Sequence, residues 1–113
     1  MNTMTDTVLE REFDLADMQQ SASKACSLLK VLSNPDRLLL LCQMAQGEKS
    51  VGELEEALGI RQPTLSQQLT VLRDEGLVNT RRDGKYIYYS VASQPALAVM
   101  QVLYQQFCQK ESS

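Results

Sequence analysis

From Leu15 the apolar residues recur at Leu15, Met18, Ala22, Ala25, Leu29 and Leu32, in steps of 3, 4, 3, 4 and 3. That spacing lays one apolar seam along a helix, close to the repeat of a coiled coil. Ser33-Asn34 interrupts it. Pro35 suits the first turn of a second helix, with Asn34 as N-cap. This helix runs to about Gln46 and closes at Gly47. It reads Leu38, Leu39, Leu40, Leu41, Cys42, Met44, Ala45, apolar nearly all round, which predicts a place in the middle of the fold. Ser50 and Glu53 have capping-box spacing and open a short third helix with Leu54, Ala57 and Leu58 inward. Gly59 turns the chain, and Pro63 starts a fourth helix with Leu65, Leu69 and Leu72 on one face, ended by Gly76.

Beyond Gly76 the period shortens. Leu77-Val78 leads to Arg81-Arg82, then Asp83-Gly84, then the β-rich run Tyr86-Ile87-Tyr88-Tyr89-Ser90-Val91. An Asp-Gly pair between two such runs predicts a two-residue hairpin. Pro95 opens a last helix with Leu97, Met100, Tyr104 and Phe107 on one face and Val99 and Leu103 beside it. The expected order is α-α-α-α-β-β-α: a mainly helical chain with one β-hairpin. Residues 1–14 form an acidic lead-in without steady period, and 15–110 a single domain.

Composition narrows the chemistry. The 113 residues contain 43% apolar side chains, enough for a core, and carry a net charge of −3. No apolar run approaches the ~18–20 residues that cross a bilayer, so no membrane partner is expected. The polar N-terminus does not read as a secretory signal, which predicts a cytoplasmic protein. There is no His and no Trp. Imidazole metal sites and His-based triads are therefore excluded, and no paired acid and base or phosphate loop suggests an enzyme. No cofactor is implied. The cysteines are Cys26, Cys42 and Cys108. An odd count in a reducing compartment argues against structural disulfides, leaving small packed residues or reactive thiols.

The third and fourth helices, joined through Gly59, form a helix-turn-helix. Packing the leucines inward leaves Gln62, Thr64, Ser66, Gln67, Gln68, Thr70 and Arg73 largely outside. A face of Gln, Ser and Thr with few carboxylates suits a DNA major groove: Gln pairs with adenine, and Ser and Thr bond base edges or phosphates. The bland alternative is an ordinary solvated helix pair. Arg81, Arg82 and Lys85 around the hairpin tip make a basic wing placed to touch flanking phosphates or the minor groove. Its own bland reading is Lys and Arg guarding a sheet edge.

Three stretches together resemble the ArsR/SmtB family of bacterial winged helix-turn-helix repressors: Ser33-Asn34-Pro35-Asp36-Arg37-Leu38; Glu53-Leu54 through Gly59; and Thr64-Leu65-Ser66-Gln67-Gln68-Leu69-Thr70-Val71-Leu72-Arg73-Asp74-Glu75-Gly76-Leu77-Val78. The resemblance covers roughly residues 15–108. It implies a homodimer joined by its first and last helices, in keeping with the two apolar seams. It also implies binding to palindromic double-stranded operator DNA, one recognition helix per half-site. Many members sense metals through a Cys-Val-Cys-Asp stretch opening the third helix or through His and carboxylates on the last. Here the first stretch reads Ser50-Val51-Gly52-Glu53 and the last helix has no His. Neither metal site is expected.

Cys42 and Cys108 instead resemble the thiol pair of the redox- and sulfide-responsive branch of that family. The resemblance implies that they join on oxidation, directly or through extra sulfur atoms, with an oxidant or reactive sulfur species as effector. Both could equally be inert packed residues. Cys26, beside the first seam with only Lys24 as a nearby cation, reads as a packed small residue. Two other functions stay open: a metal or metalloid sensor using Cys26, Cys42 and Cys108 as thiolates, and a winged-helix module that binds protein.

Overall fold

The computed structural model describes residues 15–108. The acidic lead-in, and positions 109–110 at the far boundary of the expected domain, lie outside the described residues. Five helices and three strands follow one another: α1 (Leu15–Leu32), α2 (Pro35–Ala45), β1 (Lys49–Ser50), α3 (Val51–Leu58), α4 (Thr64–Asp74), β2 (Val78–Asp83), β3 (Tyr86–Val91) and α5 (Gln94–Phe107). This is the winged helix-turn-helix order, with one short strand, β1, that the hydrophobic pattern does not predict. The described helices include none long and apolar enough to cross a membrane.

The chain divides into two compact units, one ending at Lys30 and the other beginning at Val31. The first holds most of α1, whose seam residues Leu15, Met18 and Leu29 are exposed.

The second unit has its core where three helices present leucines: Leu40 and Leu41 of α2, Leu54 of α3, Leu65 and Leu72 of α4. Full burial of each contributes roughly 1.5–3 kcal/mol. Met44, Leu69, Leu77, Val78, Ala96 and Met100 close the core around them. The expectation for α2 holds for one side only, since Leu39 is 48% exposed and Cys42 is exposed as well. On α3, Ala57 faces solvent and Leu58 is half-buried, because eight residues offer only one fully inward position, that of Leu54. On α5 the inward residues are Ala96 and Met100, while Leu97 is half-buried and Tyr104 and Phe107 are exposed.

Local chemistry sets the element ends. Asn34 caps α2 by accepting from the Arg37 N–H at 3.0 Å, with Pro35 in the first turn. Ser50 and Glu53 form a capping box at α3: the Glu53 N–H donates to Ser50 Oγ at 3.2 Å, and the Ser50 N–H donates to Glu53 Oε1 at 2.8 Å. Gly59 ends α3 in the left-handed region at φ 72°.

The sheet is antiparallel, in the order β1-β3-β2. β2 and β3 pair from Val78↔Val91 at the root to Asp83↔Tyr86 at the tip. The two-residue loop is therefore Gly84-Lys85, one position beyond the expected Asp83-Gly84. Only Gly84 has positive φ, at 66°. That matches the primed hairpin turn with Gly leading, not the one needing positive φ twice. β1 adds Lys49↔Tyr89 and Ser50↔Tyr88 on the other side of β3.

Candidate nucleic-acid interface and thiol pair

Helix α4 buries Leu65, Leu69 and Leu72 and turns its opposite side to solvent. At ~100° per residue, Gln67, Thr70 and the terminal Asp74 stand most nearly opposite the leucines, and all three are exposed. Ser66 and Arg73 are exposed on one flank; Thr64 and Gln68 are half-buried on the other. The expected polar face is thus a strip centred on Gln67 and Thr70. No acidic residue lies in the first turn of α4, which keeps that end open to phosphate.

Two of the glutamines already have partners. Pro63, as N-cap, makes no side-chain capping bond. Gln62 supplies one in its place: its Oε1 accepts from the Ser66 N–H at 3.2 Å and from the Ser66 hydroxyl at 2.5 Å. Gln68 Oε1 accepts from Arg37 Nη1 at 2.9 Å, and Arg37 Nε donates to the Val31 carbonyl at 2.7 Å. Sequence reasoning missed Arg37, since its partner is 31 positions away and nothing local announces the contact.

The wing residues divide in the same way. Arg81 is held by Glu48: Nη2 reaches Oε1 at 2.9 Å and Nε reaches Oε2 at 3.0 Å. Its guanidinium also lies 3.7 Å from Asp83 and 4.9 Å from the centroid of the Tyr88 ring. The hydrogen bonds from Arg81 lower the Glu48 pKa, and the same bonds raise that of Arg81. Arg82, one residue on, points to the opposite face of the ribbon and is exposed. Lys85 sits in the loop, its Nζ 5.8 Å from the centroid of the exposed Tyr86 ring.

All three cysteines are free and exposed in the single chain. Cys108 follows the last residue of α5, and its N–H donates to the Tyr104 carbonyl at 2.9 Å. The Cys42 thiol has a raised pKa, first because its surroundings shield it from water and second because of Cys108. The second cause requires only that Cys108 lie within electrostatic reach of Cys42. Cys26 lies on α1, in the other unit. Among the described residues no group of three or more His, Cys, Asp or Glu side chains is arranged to hold a metal ion.

Comparison with known proteins gives a consistent answer. The pattern of the family described as bacterial regulatory protein, arsR family, matches residues 34–80. The chain is 48% identical to the biofilm growth-associated repressor of Agrobacterium fabrum, over 97% of this chain and 98% of that one. The crystal structure of the transcriptional repressor BigR from Xylella fastidiosa superposes with a TM-score of 0.79 at 48% identity, covering 87% of this chain and all of that one. Reduced HlyU from Vibrio cholerae superposes with a TM-score of 0.80 at 40% identity, covering 84% of this chain and all of that one.

Proposed function

Because the chain belongs to the arsR family of bacterial regulatory proteins, we propose that it is a cytoplasmic homodimeric repressor whose operator binding is switched by the thiols of Cys42 and Cys108. Membership makes it a DNA-binding transcriptional repressor and not an enzyme. In the proposal α4 enters the major groove of a palindromic operator through Gln67 and Thr70, with Thr64, Ser66, Gln68 and Arg73 at the edges of the strip. Gln62 caps α4 and supports the strip from its start. Arg82 and Lys85 meet flanking phosphates, and Arg81 fixes the wing that carries them.

The observation that carries the switch is the influence of Cys108 on Cys42. Two free, exposed thiols within electrostatic reach of one another, one on α2 and one at the end of α5, can be joined with the loss of two protons and two electrons. The electrons pass to the oxidant, a polysulfide for example, which leaves as hydrosulfide. The first thiolate attacks the polysulfide and keeps one or more of its sulfurs, expelling the remainder as hydrosulfide or a shorter polysulfide; the second thiol then displaces hydrosulfide from that chain, leaving a disulfide where one sulfur was kept and a longer bridge where more were. A ~100-fold change in operator affinity needs about 2.7 kcal/mol between two native arrangements. That the related HlyU from Vibrio cholerae has been solved as the reduced protein is in keeping with this reading.

The test is a mobility-shift assay on duplexes selected from random sequence, using reduced, polysulfide-treated and metal-loaded protein with masses read in parallel. The reduced protein binds. Polysulfide releases it with the loss of two hydrogens, together with the mass of any whole sulfur atoms kept in the bridge. Cys42→Ser and Cys108→Ser bind but are not released, and Cys26→Ser behaves as the parent. Release of either of the first two variants as readily as the parent refutes the switch. Release by metal, reversed by a chelator, supports a metal sensor in its place.

A further inference from the structure

We propose that Arg37 is a positioning residue that fixes which edge of the Gln68 amide faces DNA, so that Gln68 offers donors only and selects guanine over adenine. The inference rests on α4 being the DNA-reading helix.

Arg37 lies in the first turn of α2 and is half-buried. It grips two groups at once, the Val31 carbonyl through Nε and Gln68 Oε1 through Nη1. A guanidinium has five N–H donors, no acceptor, and a charge that persists at any physiological pH. An amide facing it has only one way to turn: oxygen toward the arginine, nitrogen away. A solvated glutamine can reverse these two atoms freely, but at Gln68 the partner's chemistry decides. The two N–H groups of Nε2 are what remain for a ligand.

This changes the base that Gln68 suits. Glutamine usually reads adenine with both ends of its amide, the nitrogen donating to N7 and the oxygen accepting from the 6-amino group. Oε1 could accept a second bond, but its pull toward Arg37 turns the oxygen to α2 and away from the side that the nitrogen presents, so the fork no longer offers both ends to one base. Two donors with no acceptor beside them match the adjacent N7 and O6 acceptors of guanine, whereas the adenine amino group meets a donor and is disfavoured. Gln67, exposed on the outward face, is not gripped in this way by α2.

The experiment selects binding sites from a duplex library with a random core, using the reduced full-length chain. The expected site holds one G·C pair per half-site whose change to A·T, or whose guanine replacement by 7-deazaguanine, weakens binding about tenfold. Gln68→Ala abolishes the preference at that pair alone. Arg37→Met frees the amide, so the pair accepts A·T as readily as G·C, and Arg37→Lys, again a pure donor, restores guanine. Preferences at other positions persist in all variants, whereas a loosened fold would weaken every position together. Should Arg37→Met fail to fold, Gln68→Glu serves: it keeps a partner for Arg37 but turns an acceptor outward, and the guanine preference disappears. An unchanged site for Gln68→Ala, or guanine preference surviving in Arg37→Met or Gln68→Glu, overturns the proposal. If the parent enriches no sequence, the DNA-binding reading itself fails, and this one with it.

Discussion

Arg81 on β2 and Glu48, just ahead of β1, are joined by two well-formed hydrogen bonds of 2.9 and 3.0 Å, so the wing arginine faces a carboxylate of its own chain. Both groups are exposed to solvent, where an ion pair adds little to stability. The consequence lies in DNA binding. Arg82→Gln and Lys85→Gln should each reduce the slope of log affinity against log salt by about 1, as expected for losing one phosphate contact. Arg81→Gln should leave that slope nearly unchanged, because its charge is already compensated. Affinities measured across a salt series check this, and a full unit lost on Arg81→Gln contradicts it.

The raised Cys42 pKa has a definite sign. The folded state holds this proton more tightly than the unfolded chain, so its contribution to stability is constant below the ordinary thiol range and falls as pH rises through it. In Cys26→Ser protein, alkylation of Cys42 by iodoacetamide should accelerate with pH along a curve displaced to the alkaline side. Adding Cys108→Ser should shift that curve back toward lower pH, but only partly, since shielding from water is the larger cause. Rates followed by mass spectrometry decide. An unmoved curve would mean that the two thiols do not sense one another.

Leu65 is fully buried at the start of α4. Leu65→Ala should cost about 2–5 kcal/mol, visible as a lower urea midpoint. DNA binding should weaken with it, because the leucine that seats the reading helix is the one removed.

Helix α5 exposes Val102, Tyr104 and Phe107, with Phe107 at 78%. Tyr104 and Phe107, three positions apart, share one face of the helix while Val102 lies on the other side, and the exposed aromatic pair marks a surface built to be covered. With the proposed dimer, Phe107→Glu should shift the sedimentation equilibrium toward monomer and lower operator affinity, with helical content preserved. A variant as dimeric as the parent would place the subunit contact elsewhere.

The features legible in the sequence are those set by neighbours in the chain. The seam over 15–32 coincides with α1, and the Ser50/Glu53 spacing is realised as a capping box. Gly59 and the leucines of α4 take their expected roles. What escaped depends on distant partners. β1 is two residues long and carries no period of its own; it exists because β3 offers an edge. The hairpin loop moved by one residue because Asp83 extends the ladder to Tyr86, leaving Gly84 to supply the only positive φ of the turn. The face of α4 could be listed from spacing. That Gln62 and Gln68 give their oxygens to Ser66 and Arg37 could not be, and this separates the glutamines whose amide oxygen is already engaged from the outward-facing Gln67.

Ser50 belongs to two structures at once: it pairs with Tyr88 in the sheet and its hydroxyl caps α3. The hairpin is therefore not a detachable accessory. A shortened version lacking β3 would strip the anchor from the residue at which α3 begins, and the damage would spread into the helix pair. Relatives with longer or shorter tips can arise by changes beyond Asp83 and Tyr86, whereas the base of the ribbon must be inherited together with the helices it joins.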